Sequence, residues 1–184
     1  TVYRIGSITK MYTAAMVFQL IQKGKLSMDE LLSTYYPAMP NAGKIKIKHL
    51  LGHSSGIFNI TNDSSFESWY QKPQSKEKML ERIAAHKPDF EPGTKKQYSN
   101  SNYILLGYII EAITQENYQK NLQATINSIT GAKQTNYGGA IYAAKNEASS
   151  FSYENNTWKK QPESDMSVPH GAGAITATAN DVAL

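Results

Sequence analysis

Cysteine is absent from this 184-residue chain and arginine is scarce, and each shortage excludes a class of protein. Without cysteine there is no disulfide framework, no thiolate zinc site and no cysteine nucleophile. Arg4 and Arg82 are the only arginines, and no basic stripe accompanies the net charge of +4, so we expect no nucleic-acid partner. No apolar run approaches the ~18 residues that a membrane-spanning helix needs, and membrane association of other kinds stays open.

What the chain does contain is enough apolar sequence for a packed core. Hydrophobic residues make up 40% of it, too many for a disordered segment. The length suits one compact domain or part of a larger one. Thr1 is not an initiator methionine, and residues 180–184 are typical of the first turn of a helix. We therefore expect both ends to be cut from a longer polypeptide, so that any signal peptide would lie upstream.

The hydrophobic pattern predicts a helical lobe followed by a less regular region. Apolar residues occupy most of the helical circumference over 7–23, which predicts a helix in the middle of the protein that ends at Gly24. A capping box formed by Ser27 and Glu30 predicts a short second helix. Further helices are predicted over 49–51, 75–86, from 100 through 113 and about 117–128, the last with Tyr118, Leu122, Ile126 and Ile129 inward. Residues 131–165 are rich in Gly, Asn and Ser and predict loops and short strands.

A Ser-x-x-Lys pattern stands at the start of the first predicted helix. The three-residue spacing of Ser7 and Lys10 puts both side chains on one helix face. A serine hydroxyl becomes a good nucleophile when a nearby base takes its proton, and a lysine can be that base if burial lowers its pKa. The alternative interpretation is an N-cap serine beside a lysine that reaches solvent. Ser75 and Lys78 match the same pattern, but they belong to a charged helix where the lysine would stay hydrated.

A Tyr-x-Asn pattern precedes the helix predicted from residue 100. Tyr98 follows a Pro-Gly turn and leads directly into apolar sequence, so its loop should be held rigidly. A phenol there could shuttle a proton, and the carboxamide of Asn100 could bind a substrate amide. The alternative is a helix-capping Asn100 beside a packed tyrosine. Tyr153 and Asn155 match as well, but in a polar stretch.

Together these motifs resemble a known family. The segments 3–10 (Tyr-Arg-Ile-Gly-Ser-Ile-Thr-Lys), 49–57, 90–93, 98–100 and 171–181 are similar, in order, to motifs of the serine β-lactamase/penicillin-binding-protein superfamily. The resemblance is to its class C β-lactamase, D-alanyl-D-alanine carboxypeptidase and esterase branch. It implies an α+β, β-lactamase/transpeptidase-like fold, of which residues 1–184 form a partial domain: a nucleophile helix (7–23), a helical lobe (about 26–130) and a region of loops and short strands (about 131–184).

The resemblance also implies a chemistry. Ser7 would attack a β-lactam, a D-Ala-D-Ala peptide or an ester and form an acyl-enzyme. Lys10 and Tyr98 would share the proton transfers, and Asn100 would hold the amide side chain of the substrate. No cofactor or metal is implied, and the location would be outside the cytoplasm of a bacterium.

One motif of the superfamily is missing from the sequence. Its third element, Lys-[Ser/Thr]-Gly or His-x-Gly, does not occur, and His170-Gly171-Ala172 differs from it by one residue. We therefore expect the chain to lack one wall of the site and to turn over weakly by itself. The alternative function is a non-catalytic fragment or module that binds peptidoglycan-like peptides.

Two histidines have the spacing of metal ligands. His49 and His53 are four residues apart, as ligands on one helix face would be, but Leu50 replaces the glutamate of His-Glu-x-x-His. No third ligand is evident, so we expect both to be structural.

Overall fold

Helices and turns form most of the fold in the computed structural model, which describes residues 1–184. The helices are α1 (Thr9–Gln22), α2 (Ile47–Leu51), α3 (Lys76–Ala84), α4 (Asn100–Thr114), α5 (Tyr118–Leu122), α6 (Ser128–Thr130), α7 (His170–Gly173) and α8 (Ala179–Val182). A π-helical turn, Gln123–Asn127, joins α5 to α6. None of the helices combines the length and apolar character required to cross a bilayer.

The strands are short and form two small sheets. They are β1 (Tyr3–Arg4), β2 (Asn136–Tyr137), β3 (Phe151–Glu154), β4 (Thr157–Lys160) and β5 (Ile175–Ala177). The first sheet has the antiparallel order β1-β5-β2, with Tyr3 opposite Ala177 and Tyr137 opposite Ile175. The second is the hairpin β3-β4. The first sheet therefore brings the start of the chain against its last strand.

The core is centred on α4 and includes residues of α1, α2 and α3, and α1 differs from expectation. Every residue of α4 from Ser101 to Ile110 is buried, so α4 is the central helix. The prediction that the 7–23 helix lies in the middle is wrong, because Met11 is 71% exposed and Phe18 52% exposed. The other elements pack against one face of α1 only, the face that carries Lys10.

Two other local predictions fail for identifiable reasons. The Ser27 capping contacts form, with the Ser27 amide donating to Glu30 Oε2 at 3.3 Å, but the chain continues into an isolated bridge and a 3-10 turn over Leu32–Thr34 instead of a helix. Ile129 is 73% exposed, so its inward placement is wrong. The π-helical turn before α6 widens the helix, which rotates the following residues out of the phase that an unbroken α-helix would give.

Candidate active site

Ser7 lies at the turn between β1 and α1. Gly6 has φ +53°, a left-handed conformation that glycine adopts without steric cost, and a 3-10 turn over Gly6–Ile8 then leads into the helix. The turn is anchored because the Ile5 amide donates to the Ile175 carbonyl at 3.0 Å. Ser7 itself is exposed. The result is a solvent-accessible hydroxyl on a rigidly held backbone at a helix N-terminus.

Lys10, one helical turn later, is almost completely withdrawn from water. It is 7% exposed, and its ammonium nitrogen lies within hydrogen-bond distance of three oxygens. Nζ is 3.1 Å from Ser7 Oγ, 2.9 Å from Asn100 Oδ1 and 2.7 Å from the Ala172 carbonyl. Burial lowers the pKa of Lys10, while the contact with Tyr98 opposes that shift. The environment therefore favours the uncharged amine more than water would.

The Tyr98 hydroxyl is the second group in contact with the Ser7 hydroxyl. It lies 2.7 Å from Ser7 Oγ and donates to Asn100 Oδ1 at 3.3 Å. Lys10 Nζ stands 4.9 Å from the centre of the Tyr98 ring. The two sequence motifs, about 90 residues apart, therefore meet at one site, which contains Ser7, Lys10, Tyr98 and Asn100.

Asn100 is oriented by residues that belong to none of the sequence motifs. Asn59, 8% exposed, accepts from the Asn100 backbone amide at 3.0 Å and from Asn100 Nδ2 at 3.3 Å. Thr61 Oγ1 accepts from the same Nδ2 at 3.2 Å. Because these acceptors take the amide nitrogen, the carbonyl oxygen of Asn100 faces Lys10. No local pattern could identify Asn59, since its partner is 41 residues away.

His53 supports the loop that carries Tyr98. Its Nδ1 accepts from the Ser99 amide at 3.2 Å, and its ring centre is 4.7 Å from that of Tyr98. Burial lowers the pKa of His53, and the charge of Lys10 lowers it further, which favours the neutral ring. The Ser99 amide that points at Nδ1 then selects the form of that ring in which Nδ1 accepts. His49 Nδ1 likewise accepts from a backbone amide, that of Lys46, at 3.2 Å. No group of three or more His, Cys, Asp or Glu side chains is arranged to hold a metal.

The glycine-rich segment contributes backbone atoms rather than side chains. The Ala172 carbonyl receives the Lys10 hydrogen bond, and the Gly171 carbonyl receives one from Thr13 Oγ1 at 2.6 Å. His170 points away from the site and lies 3.5 Å from Glu111 on α4. It therefore does not replace the missing third motif. In the sequence, the similarity of residues 171–181 to a family motif is what indicates a role for this segment.

The rival motifs lie on the surface. Ser75 caps α3 by accepting from the Lys78 amide at 3.2 Å, and Lys78 pairs with Glu81 at 2.9 Å in solvent. Tyr153 is 58% exposed on the β3-β4 hairpin. Neither motif lines the cleft described next.

A cleft of about 420 Å³ opens beside the serine. Ser7, Asn100 and Thr61 line it together with apolar side chains and with the polar residues Arg4, Ser150, Glu163 and Ser164. A larger cavity, about 600 Å³, is lined by none of the four nominated residues. The smaller cleft is the candidate site because it contains the hydroxyl that the lysine and the tyrosine contact.

Comparisons with known proteins agree with this architecture. A family model described as Beta-lactamase matches residues 1–184. A putative D-alanyl-D-alanine carboxypeptidase of Salmonella typhimurium is 31% identical over 145 residues, which is 73% of this chain and 34% of that protein. The chain thus spans about a third of the length of the curated relatives that it matches.

Two solved structures extend the likeness to the fold. A D-stereospecific amidohydrolase from Streptomyces sp. superposes with a TM-score of 0.85 at 27% identity, covering 98% of this chain and 58% of that one. A penicillin-binding protein from Bacillus halodurans gives 0.84 at 26% identity, covering 100% and 57%. The predicted α+β, β-lactamase/transpeptidase-like fold is confirmed.

Proposed function

This chain belongs to the Beta-lactamase family, within the serine β-lactamase/penicillin-binding-protein superfamily, and we propose that it provides the nucleophile and proton-transfer groups of a serine hydrolase that works through an acyl-enzyme. One observation carries the proposal. Ser7 Oγ lies within hydrogen-bond distance of both an amine withdrawn from water, Lys10 Nζ at 3.1 Å, and a phenol, Tyr98 at 2.7 Å. A binding module needs no such activated hydroxyl.

The contacts of Lys10 suit a base. The Asn100 and Ala172 oxygens are carbonyl oxygens and can only accept. A neutral amine that donates its two hydrogens to them directs its lone pair toward the third neighbour, Ser7 Oγ. The same three neighbours also suit an ammonium with three donors, so the nitrogen can hold either proton count in one geometry. Burial, which lowers the pKa of Lys10, decreases the cost of the neutral form.

In the proposed reaction Ser7 Oγ attacks the substrate carbonyl carbon while its proton passes to Lys10 or Tyr98, which share the role. The oxyanion forms near the N-terminus of the helix, where the peptide dipoles favour negative charge, and the Ser7 amide is one donor to it. The same proton then moves to the departing nitrogen or oxygen as the carbonyl re-forms. Water cleaves the resulting ester and restores Ser7.

The substrate belongs to one of three groups of carbonyl compound: a β-lactam, a D-Ala-D-Ala peptide or an ester. Related proteins carry names that include D-stereospecific amidohydrolase and putative D-alanyl-D-alanine carboxypeptidase, which supports acyl transfer from amides as the general reaction. An extracytoplasmic location follows from the same relationship and is part of the proposal. Asn100 would contact the amide side chain of such a substrate.

Intact-protein mass spectrometry tests this function. The chain is incubated with benzylpenicillin and, separately, with p-nitrophenyl acetate, and the mass increase is mapped to a residue. We expect an adduct on Ser7 that Ser7→Ala abolishes. Ser75→Ala is the matched control, because Ser75 belongs to the same sequence pattern but caps a surface helix. An adduct that survives in Ser7→Ala, or none with either reagent, would refute the proposal.

Turnover should be slower than acylation. The third motif, which would provide the second oxyanion donor, is not found in residues 1–184, so we expect the chain to accumulate adduct and release product slowly. Steady-state hydrolysis at the rate of ordinary family enzymes would show that another group within these residues performs that task.

A further inference from the structure

We infer that the cleft beside Ser7 selects substrates whose acyl group carries an uncharged apolar side chain, of the size of a phenyl ring or a branched alkyl group. The inference rests on the proposed function for its chemistry and names the substrate class of the same site. It does not depend on whether the scissile bond belongs to an amide, a lactam or an ester. It concerns only the part of the substrate that enters the cleft.

Most of the exposed surface that lines the cleft is apolar, although Ser150 and Ser164 also line it. Its floor consists of the buried side chains of Ile60, Ile104, Met166 and Val168. Its wall is aromatic, because Phe66 and Tyr70 are stacked with ring centres 5.3 Å apart. A volume of about 420 Å³ leaves room for a ring beyond the reacting carbonyl. Contact between such a surface and an apolar group removes both from water, which lowers the free energy of binding.

The charged groups at the cleft are already neutralised by partners. Arg4 and Glu163, the only ionised side chains among its lining residues, form an ion pair at 3.4 Å. Arg4 also donates to the Ser164 carbonyl at 2.7 Å and to the Gly139 carbonyl at 2.9 Å. Lys10 is occupied by three oxygens. A carboxylate or ammonium in the acyl side chain would lose its hydration here without gaining a counter-ion, which is costly.

Hydrogen bonds between distant segments hold the walls of the cleft in place. The Asp165 amide donates to the Tyr70 carbonyl at 2.9 Å, which ties the aromatic wall to the segment that carries Met166. The Tyr137 hydroxyl donates to the Met166 carbonyl at 2.8 Å. The cavity is therefore preformed, so no free energy of binding is lost in ordering a loop around the substrate.

A series of esters with one leaving group tests the selectivity. The rate of Ser7 acylation is measured with p-nitrophenyl acetate, p-nitrophenyl phenylacetate and mono-p-nitrophenyl succinate. We expect phenylacetate to exceed acetate by about tenfold or more in second-order rate constant, as filling an apolar pocket typically gives, and succinate to fall below acetate. Equal rates, or a preference for succinate, overturn the inference and leave the proposed function intact.

Binding to Ser7→Ala separates the cleft from the chemistry. Phenylacetamide and succinamate are titrated into this variant and followed by NMR. We expect phenylacetamide to shift aromatic resonances of Phe66 and Tyr70, and succinamate to shift none. If phenylacetamide does not bind, the inference is wrong even if Ser7 is acylated. If it binds while no ester acylates the wild-type chain, the apolar preference of the cleft stands and the proposed function fails.

A charged substitution in the wall should weaken the preference for the apolar acyl group. Phe66→Arg introduces a cation into the cleft, so the phenylacetate-to-succinate rate ratio should fall by at least about tenfold. Phe151→Arg is the matched control, since Phe151 is 52% exposed on the hairpin and does not line the cleft. Tyr70→Arg provides a second test if Phe66→Arg is poorly folded by circular dichroism. An unchanged ratio in a folded cleft variant overturns the inference.

Discussion

Replacing Asn59 with alanine should weaken both the fold and the site. The substitution removes the oxygen that accepts from the Asn100 backbone amide at 3.0 Å and from its side-chain amide at 3.3 Å. The backbone amide begins α4, whose following ten residues are buried. Leaving a donor without its partner in such a place costs about 1–3 kcal/mol. For a chain of this length each kcal/mol corresponds to about 2–4 °C in melting temperature.

Urea denaturation followed by circular dichroism at pH 7 measures this loss. Asn59→Asp should retain wild-type stability, because a carboxylate still accepts and is favourable at a helix N-terminus. Asn62→Ala is the neighbouring control: Asn62 is exposed, and its side chain accepts only a long bond of 3.4 Å from Asn59. It should stay within about 0.5 kcal/mol of wild type.

The same variant separates positioning from stability. Without Asn59, only Thr61 still accepts from Asn100 Nδ2, so Asn100 Oδ1 is held less firmly toward Lys10. Acylation of Ser7 should therefore slow even at temperatures where the variant is fully folded. Asn59→Asp should restore most of the rate. Wild-type stability in Asn59→Ala, or equal damage in both variants, would refute the role assigned to this oxygen.

Three other outcomes are expected. Burial lowers the pKa of Lys10, so the rate of acylation should increase as the pH rises through that lowered pKa. The Tyr98 contact opposes the shift, so Tyr98→Phe should move the NMR titration midpoint of Lys10 to lower pH. A midpoint at higher pH would contradict the effect assigned to Tyr98. Gly56→Ala should cost about 3 kcal/mol or more in urea denaturation, since φ is +76° and a Cβ would collide with the Phe90 carbonyl oxygen; a cost below about 1 kcal/mol would be inconsistent with that contact. Ile129→Ser should change the free energy of unfolding by less than about 0.5 kcal/mol, because Ile129 is 73% exposed. A larger loss would indicate that Ile129 is buried, as the sequence pattern predicts.

The local parts of the site were predictable because they depend on nearby residues. Ser7 and Lys10 share a helix face through their three-residue spacing, and Lys10 Nζ lies 3.1 Å from the hydroxyl. The cap at Ser75 and the start of α4 at Asn100 also follow from short patterns. Tyr98 could be nominated only through its motif and the family resemblance, since it is separated from Ser7 by 91 positions.

The errors arose where helix phase or burial depends on distant packing. The periodicity around Ile129 assumed an unbroken α-helix, and the π-helical turn at Gln123–Asn127 changed the phase. The apolar circumference of 7–23 predicted burial on all sides, whereas Met11 and Phe18 are exposed. The sequence shows which residues of a helix are apolar, but the neighbouring elements decide which of its faces is buried.

The amino-acid sequence alone determined the helical lobe, the adjacency of the Ser7 hydroxyl and the Lys10 amine, and the family to which the chain belongs. Only the tertiary structure decided whether that amine leaves water, because its other two acceptors are Asn100, 90 residues away, and Ala172, 162 residues away. The pKa of a lysine responds to every atom within a few ångströms, and those atoms are assembled by long-range packing that no local pattern encodes.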